Sequence, residues 1–214
     1  MLLAIAAGPL CAAPDDTGSV DSGWILSHLE RPAPMRTQFV ELRDSRLLKA
    51  PLRIEGEYRR PSEDTLVREV RAPYAETTTI ASGNVSIARA GKSPRTFSLS
   101  RVPELAGLQA SFGALLSGDR GQLEQHYRIA SAGTRQHWTL TLTPKDPAFA
   151  AKVRDIVLHG RGAELRCIET TPRTGDVQRT LLAGAAHDAA GVATAAGIAA
   201  LCRNESAAPA SGAR

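Results

Sequence analysis

Between residues 36 and 99 the chain is cut into consecutive short segments that alternate apolar and polar side chains with a period of two, each bounded by Gly, Pro, Asn or Ser. This run constrains the fold more than any other feature of the sequence, because a period of two places one apolar face on each strand and leaves the other wet. At 36–43, Val40 and Leu42 alternate against Phe39, Glu41 and Arg43. At 52–60, Leu52, Ile54, Gly56 and Tyr58 share one face against Arg53, Glu55, Glu57 and Arg59. Further segments follow at 66–71, 77–80, 85–88 and 95–99, with turns expected at Ser82-Gly83-Asn84 and Ala90-Gly91-Lys92. Together they predict an antiparallel meander.

Helical spacing flanks the meander. Trp24, Ile25, Leu26 and Leu29 suit one helix face, with Asp21 or Ser22 as cap and Pro32 and Pro34 as the stop. From Pro103 to Gly118, Leu105, Leu108, Phe112, Leu115 and Leu116 recur at helical intervals, and a short helix is expected at 119–125. Strands resume at 126–130 and 136–143, where Trp138, Leu140 and Leu142 share a face. Asp146-Pro147 opens a predicted helix through Phe149 and Val153, running into 156–158. Two last strands fall at 164–169 and 177–182. The fold class is therefore α+β and mainly β. Four regions are expected: a secretory signal peptide at 1–13, a flexible leader at 14–22, a folded domain at 23–184, and a disordered Ala/Gly-rich tail at 185–214.

The first thirteen residues carry no charge and end in small residues before Pro14 and two aspartates, like the apolar core and cleavage end of an export signal. Cys11 raises lipid attachment, but Leu10 stands where such a signal wants a small residue. A buried N-terminal helix is the third reading. Export would place Cys167 and Cys202 in an oxidising compartment, where a bridge or two unpaired apolar thiols are both compatible with the sequence.

Catalytic and metal chemistry finds little purchase. The histidines 28, 126, 137, 159 and 187 show no metal-ligand spacing, and neither a nucleophile elbow nor a phosphate-cradling Gly-rich loop is present. Ser111, Asp119 and His126 assemble a triad only on paper. No catalytic residue, metal or cofactor is assigned. The formal charge is +4 with no basic block, and aromatics make up 4%, so a stacking platform for nucleic acid is not expected. No segment reaches the length of a spanning helix.

What the pattern does offer is apolar surface: a long one-sided sheet with few helices to cover it. It packs as an ordinary α+β core, or it curls and leaves a concave apolar site suited to an acyl chain.

The order of these features resembles a known family. WILSHL at 24–29, TQF at 37–39, LRIEGEYRRP at 52–61, APY at 72–74, IASGNV at 80–85, FGALL at 112–116, YRI at 127–129 and WTLTLTPK at 138–145 run collinear with the periplasmic lipoprotein carrier LolA and its relatives. The chain resembles most the divergent branch of some proteobacteria. The resemblance implies an incomplete antiparallel β-barrel with short helices as a lid over an apolar cavity. It also implies a non-enzymatic, monomeric periplasmic carrier of lipoprotein or lipid, taking cargo from an inner-membrane donor to an outer-membrane acceptor with transient membrane contact and no nucleic-acid partner. On this reading the lipid-binding residues are Phe39, Leu52, Ile54, Leu66, Val70, Ile80, Val85, Ile87, Phe97, Leu99, Trp138 and Leu140, with Leu105, Leu108, Phe112 and Leu115 on the covering helix. Arg60, before Pro61, matches the family arginine that hydrogen-bonds the lid. A non-transporting module that binds a hydrophobic protein segment and an exported hydrolase are the alternative functions.

Overall fold

The structure is a computed structural model and describes residues 19–43, 52–101 and 114–204. Asp21 caps α1 (Ser22–Leu29), its side chain accepting from the Trp24 N–H at 2.9 Å. Six strands follow: β1 (Met35–Arg43), β2 (Leu52–Ser62), β3 (Thr65–Ala72), β4 (Glu76–Ala81), β5 (Asn84–Arg89) and β6 (Lys92–Ser98). The remaining elements are α2 (Arg120–His126), β7 (Tyr127–Gly133), β8 (Trp138–Pro144), α3 (Pro147–Ala150), β9 (Val153–Arg161), β10 (Glu164–Pro172), β11 (Gln178–Leu182), α4 (Ala183–Asp188) and α5 (Ala195–Cys202).

All eleven strands form one antiparallel sheet in the order β6-β5-β4-β3-β2-β1-β11-β10-β9-β8-β7. It is curled and unclosed, since β6 and β7 remain its two edges. The predicted meander is the half from β1 to β6, and its β4–β5 turn puts Ser82 and Gly83 at φ 47° and 72°. Two successive left-handed residues give the twist that matches paired strands, which is why Gly follows Ser here.

β1 lies at the middle of the sheet and is buried on both faces. Phe39 pairs with Gly56 and Leu182 on the inner face, whereas Val40 pairs with Glu55 and Leu181 on the outer. The inner face packs beneath α1. There Ile25, Leu26 and Leu29 meet Leu123, Tyr127, Trp138, Leu140 and Leu158 in the larger core. Trp138 closes that core by lying on Gly160, where an added Cβ would fall 1.9 Å from the indole ring. The outer face is covered by α4 and α5: Val40, Cys167 and Leu181 pack with Ala185, Ile198, Leu201 and Cys202.

That outer layer departs from the expected disorder over 185–204, the part of the tail among the described residues. Residues through 204 are ordered, and a disulfide joins Cys167 of β10 to Cys202 of α5. Alanine-rich composition reads as disorder only when there is no apolar surface to cover, and here small side chains let the helices lie close on β1 and β11. The leader is also partly fixed, as Val20 N–H donates to the Gly133 carbonyl at 3.2 Å. The helix expected through Val153 stops at Ala150, and 153–161 is a strand. Ile156 and Leu158 alternate inward between β8 and β10, so long-range pairing overrides the local pattern. The signal peptide, the leader before residue 19 and residues 205–214 lie outside the described residues.

His159 sits under the same outer layer, opposite Cys167 across the β9–β10 pair, with its Nε2 buried and without a hydrogen-bond partner. Burial pushes its pKa below the usual 6.5, outweighing the opposite pull of Glu169. The unfolded chain then binds the extra proton first. Stability from this site is therefore full above about pH 6.5 and is lost as the pH falls through the lower folded-state value. Acid melting curves should show this loss in the native chain and a flatter profile in His159→Leu. Reducing the disulfide should cost up to about 4 kcal/mol, from the entropy of the loop it closes. The accompanying rise in amide exchange should be confined mostly to α4 and α5.

Candidate functional site

The inner face holds two cores that do not merge completely. The smaller one, Phe39, Ile54, Val70 and Leu182, lies across β1–β3 and β11. Where it approaches the larger core a cavity of about 260 Å³ remains. Leu29, Met35, Tyr58, Leu66, Leu115, Leu116, Leu165 and Leu182 supply its apolar lining, and Arg31, Arg36, Thr37 and Glu164 its polar rim. Each wall follows from the sheet: Met35, Thr37, Tyr58 and Leu66 stand on the inner face of β1–β3, while Leu165 and Ala163 reach in from the β9–β10 hairpin. Leu115 and Leu116, from a helical turn at 114–116, close the side opposite the sheet.

A hydrogen-bonded latch surrounds this opening. Arg60 is only 4% exposed. Its guanidinium donates to the Arg31 carbonyl at 2.9 Å and the Glu63 carbonyl at 3.3 Å, and pairs with the Glu63 carboxylate. Arg31 in turn gives its backbone N–H to the Leu116 carbonyl at 2.9 Å and its side chain to the Ala163 carbonyl at 2.8 Å. The end of β2 is thus tied through Arg31 to both the covering turn and the β9–β10 hairpin.

The inner face also carries a polar belt. Glu41, on the inner face of β1, is 8% exposed. It accepts from Arg68 at 2.9 Å, from Arg43 at 3.2 Å and from the Thr180 hydroxyl at 3.2 Å. The Arg68 guanidinium lies 4.7 Å from the centre of the Phe39 ring. Tyr58, beside it, is pushed up to about pKa 12, first by burial and then by the Glu41 charge. It therefore stays a neutral phenol at any physiological pH.

The sequence-predicted residues distribute unevenly over this site. Leu66 and Leu115 line the cavity. Phe39, Ile54 and Val70 are in the smaller core with Leu52 packed against it, and Trp138 and Leu140 are in the larger one. Ile80, Val85, Ile87 and Phe97 share the same inner face further along the meander, and Leu99 is buried in the turn after β6. Ile87 and Phe97 border a separate groove at the β5–β6 edge. Leu105, Leu108 and Phe112 lie outside the described residues, as does Ser111. Asp119 caps α2 by accepting from the Gln122 N–H at 2.9 Å. The apolar lining residues that sequence reasoning missed are Leu29, Met35, Tyr58, Leu116, Leu165 and Leu182. Tyr58 carried a signal in its place on the dry face of the β2 segment, and Leu29 and Leu116 in their helical spacing. Among the described residues one His, Glu and Cys group gathers, His159, Glu169 and Cys202, but its sulfur belongs to the disulfide.

An open, curled antiparallel sheet with an apolar cavity between its inner face and covering helices defines a binding fold. The chain belongs to the family described as outer membrane lipoprotein carrier protein LolA-like, which matches it over residues 12–206. Among solved structures it is similar to the LolA superfamily protein NE2245 from Nitrosomonas europaea, at 14% identity and a TM-score of 0.39 over 75% of this chain and 76% of that one. It is also similar to LprF from Mycobacterium bovis, at 11% identity and a TM-score of 0.34 over 76% of this chain and 91% of that one. No curated protein sequence matches the chain. No described helix is long and apolar enough to cross a membrane.

Replacing Arg60 by Ala should free the Arg31 carbonyl and loosen the latch. Loss of a charge-assisted hydrogen bond of about 1.5 kcal/mol predicts roughly tenfold faster hydrogen exchange at the Arg31 N–H. Exchange at Leu140, deep in the larger core, should stay as in the native chain.

Proposed function

We propose that the chain is a periplasmic carrier that shields the acyl chains of a lipoprotein or lipid in the inner-face cavity and moves that cargo between the inner and outer membranes. The observation that carries this reading is the cavity itself, lined by leucines from both cores and closed on one side by a short helical turn. Each methylene transferred from water to such a lining contributes about 0.8 kcal/mol, so an acyl anchor gains strongly from entering it. A donor at the inner membrane and an acceptor at the outer one would load and empty a monomeric carrier. Its role is binding, without a cofactor, a metal or nucleic acid.

The cavity is small against the ~300–1000 Å³ of drug-sized sites. A multi-acyl cargo therefore enters when Leu115 and Leu116 swing away from Leu66, and the Arg60–Arg31–Leu116 latch is the contact that must release. This assigns to Arg60 the opening and closing role. The functional unit reaches back to the Ser19–Asp21 segment that joins β7 and caps α1, and extends past 184 to the disulfide-held helices.

Leu66→Trp places an indole in the cavity from a half-buried position. It should lower binding of a fluorescent fatty-acid analogue at least tenfold, while the melting transition stays cooperative; tenfold corresponds to about 1.4 kcal/mol. Native mass spectrometry of the native chain should find co-purified lipid. A chain that arrives empty and takes up no analogue would defeat the proposal.

A further inference from the structure

The β3–β6 half of the sheet ends in two turns, at 73–75 and 90–91, on the same end, because Glu76 at the start of β4 pairs with Arg89 at the end of β5. Tyr74, in the first turn, is 38% exposed and is the one exposed large hydrophobic side chain among the described residues. Beside the second turn a groove of about 280 Å³ runs along the inner face of β5 and β6, with half-buried Ile87 and Phe97 as its apolar walls and Arg89, Lys92, Ser93 and Arg95 around them. The Glu76 carboxylate neutralises Arg89. Lys92 and Arg95 are exposed and make no ion pair or side-chain hydrogen bond among the described residues.

We propose that this end of the sheet docks on membrane surfaces rich in anionic phospholipid. Two uncompensated cations meet the lipid phosphates, Tyr74 sits at headgroup level, and the Ile87–Phe97 groove takes the apolar edge of a lipid. Aromatic side chains with one wet end favour that interface, and a basic residue close to an anionic leaflet gains about fivefold in partitioning. Edge protection accounts for part of the pattern, since Lys92 and Pro94 on the outermost strand discourage pairing with another chain. It leaves the exposed tyrosine and the apolar walls without a reason. Pro94 also removes a backbone donor from β6, which disfavours an added peptide strand and leaves the bilayer as the better match.

The surface is distinct from the cavity between the two cores, so the test separates the two ideas. The full chain is sedimented with phosphatidylcholine vesicles and with vesicles doped with phosphatidylglycerol. Binding should appear only with the anionic lipid and weaken as salt rises. Lys92→Ala with Arg95→Ala should lower it by about 25-fold, from two losses of about fivefold each, and Tyr74→Ser should lower it several-fold. Both variants change exposed side chains and should keep the native melting temperature and fatty-acid uptake. Equal partitioning onto neutral and anionic vesicles, or full retention by the double variant, overturns the docking surface. A chain that takes up fatty acid yet ignores anionic vesicles refutes docking and leaves the carrier reading standing; vesicle binding without uptake does the reverse.

Discussion

Every layer of this protein depends on β1 being dry on both faces. Its pairing with β2 and β11 fixes Phe39 and Leu182 on one side of the sheet and Val40 and Leu181 on the other. A slip of one residue would exchange the two sets. The inner set builds the small core with Ile54 and Val70, whereas the outer set is covered by α4, α5 and the Cys167–Cys202 bridge. Covering the outer face with small residues takes little volume. It secures the central strands without drawing any of the inner helices away from the curled side.

The inner side is then left with more apolar surface than its helices can fill. α1 and the segments around 114–126 pack onto β7–β10, while Phe39, Ile54 and Val70 pack onto one another. Two cores tied to different parts of one sheet meet along Leu29, Leu115 and Leu182, and the space between them is the cavity. Interiors normally close such gaps, because an unfilled lining forfeits its dispersion contacts. Here both walls are fixed by strand pairing, so closure would have to come from the side of Leu115 and Leu116, whose turn packs on the larger core and is tied to Arg31 through the Leu116 carbonyl.

Much of this was legible from the chain alone, for identifiable reasons. Period-two alternation at 52–60 and 85–88 gave both the strands and the face on which Ile54 and Ile87 stand, because a hairpin meander is built from local turns. The ordered C-terminal helices were not legible. Ala-rich composition says nothing about a surface elsewhere, and that surface, Val40 and Leu42, is recognisable only once Phe39 is known to face the other way. The strand at 153–161 was lost for a similar reason, since its partners β8 and β10 decide its conformation. Of the expected lipid-binding residues, Leu66 and Leu115 line the cavity, Phe39, Ile54, Val70, Trp138 and Leu140 fill the cores around it, and Ile80, Val85, Ile87 and Phe97 lie further along the same face. Hydrophobicity marks the inner face, but the line between filled and unfilled space depends on which cores meet.

The Glu41–Arg68 pair shows what keeps that inner face from becoming uniformly greasy. A buried ion pair adds little net stability over well-packed apolar side chains, yet removing one partner strands the other charge at a cost of about 3–5 kcal/mol. Its contribution is therefore positional. Glu41 is held from β1 and Arg68 from β3, with Thr180 joining from β11, and the guanidinium lies over Phe39 while Tyr58 packs alongside. Four strands are tied at one level by groups that tolerate no shift in register. Tyr58, one of the groups so fixed, is also a wall of the cavity. The belt thus sets the cavity's sheet-side boundary, and whatever enters must make its room on the side of Leu115 and Leu116.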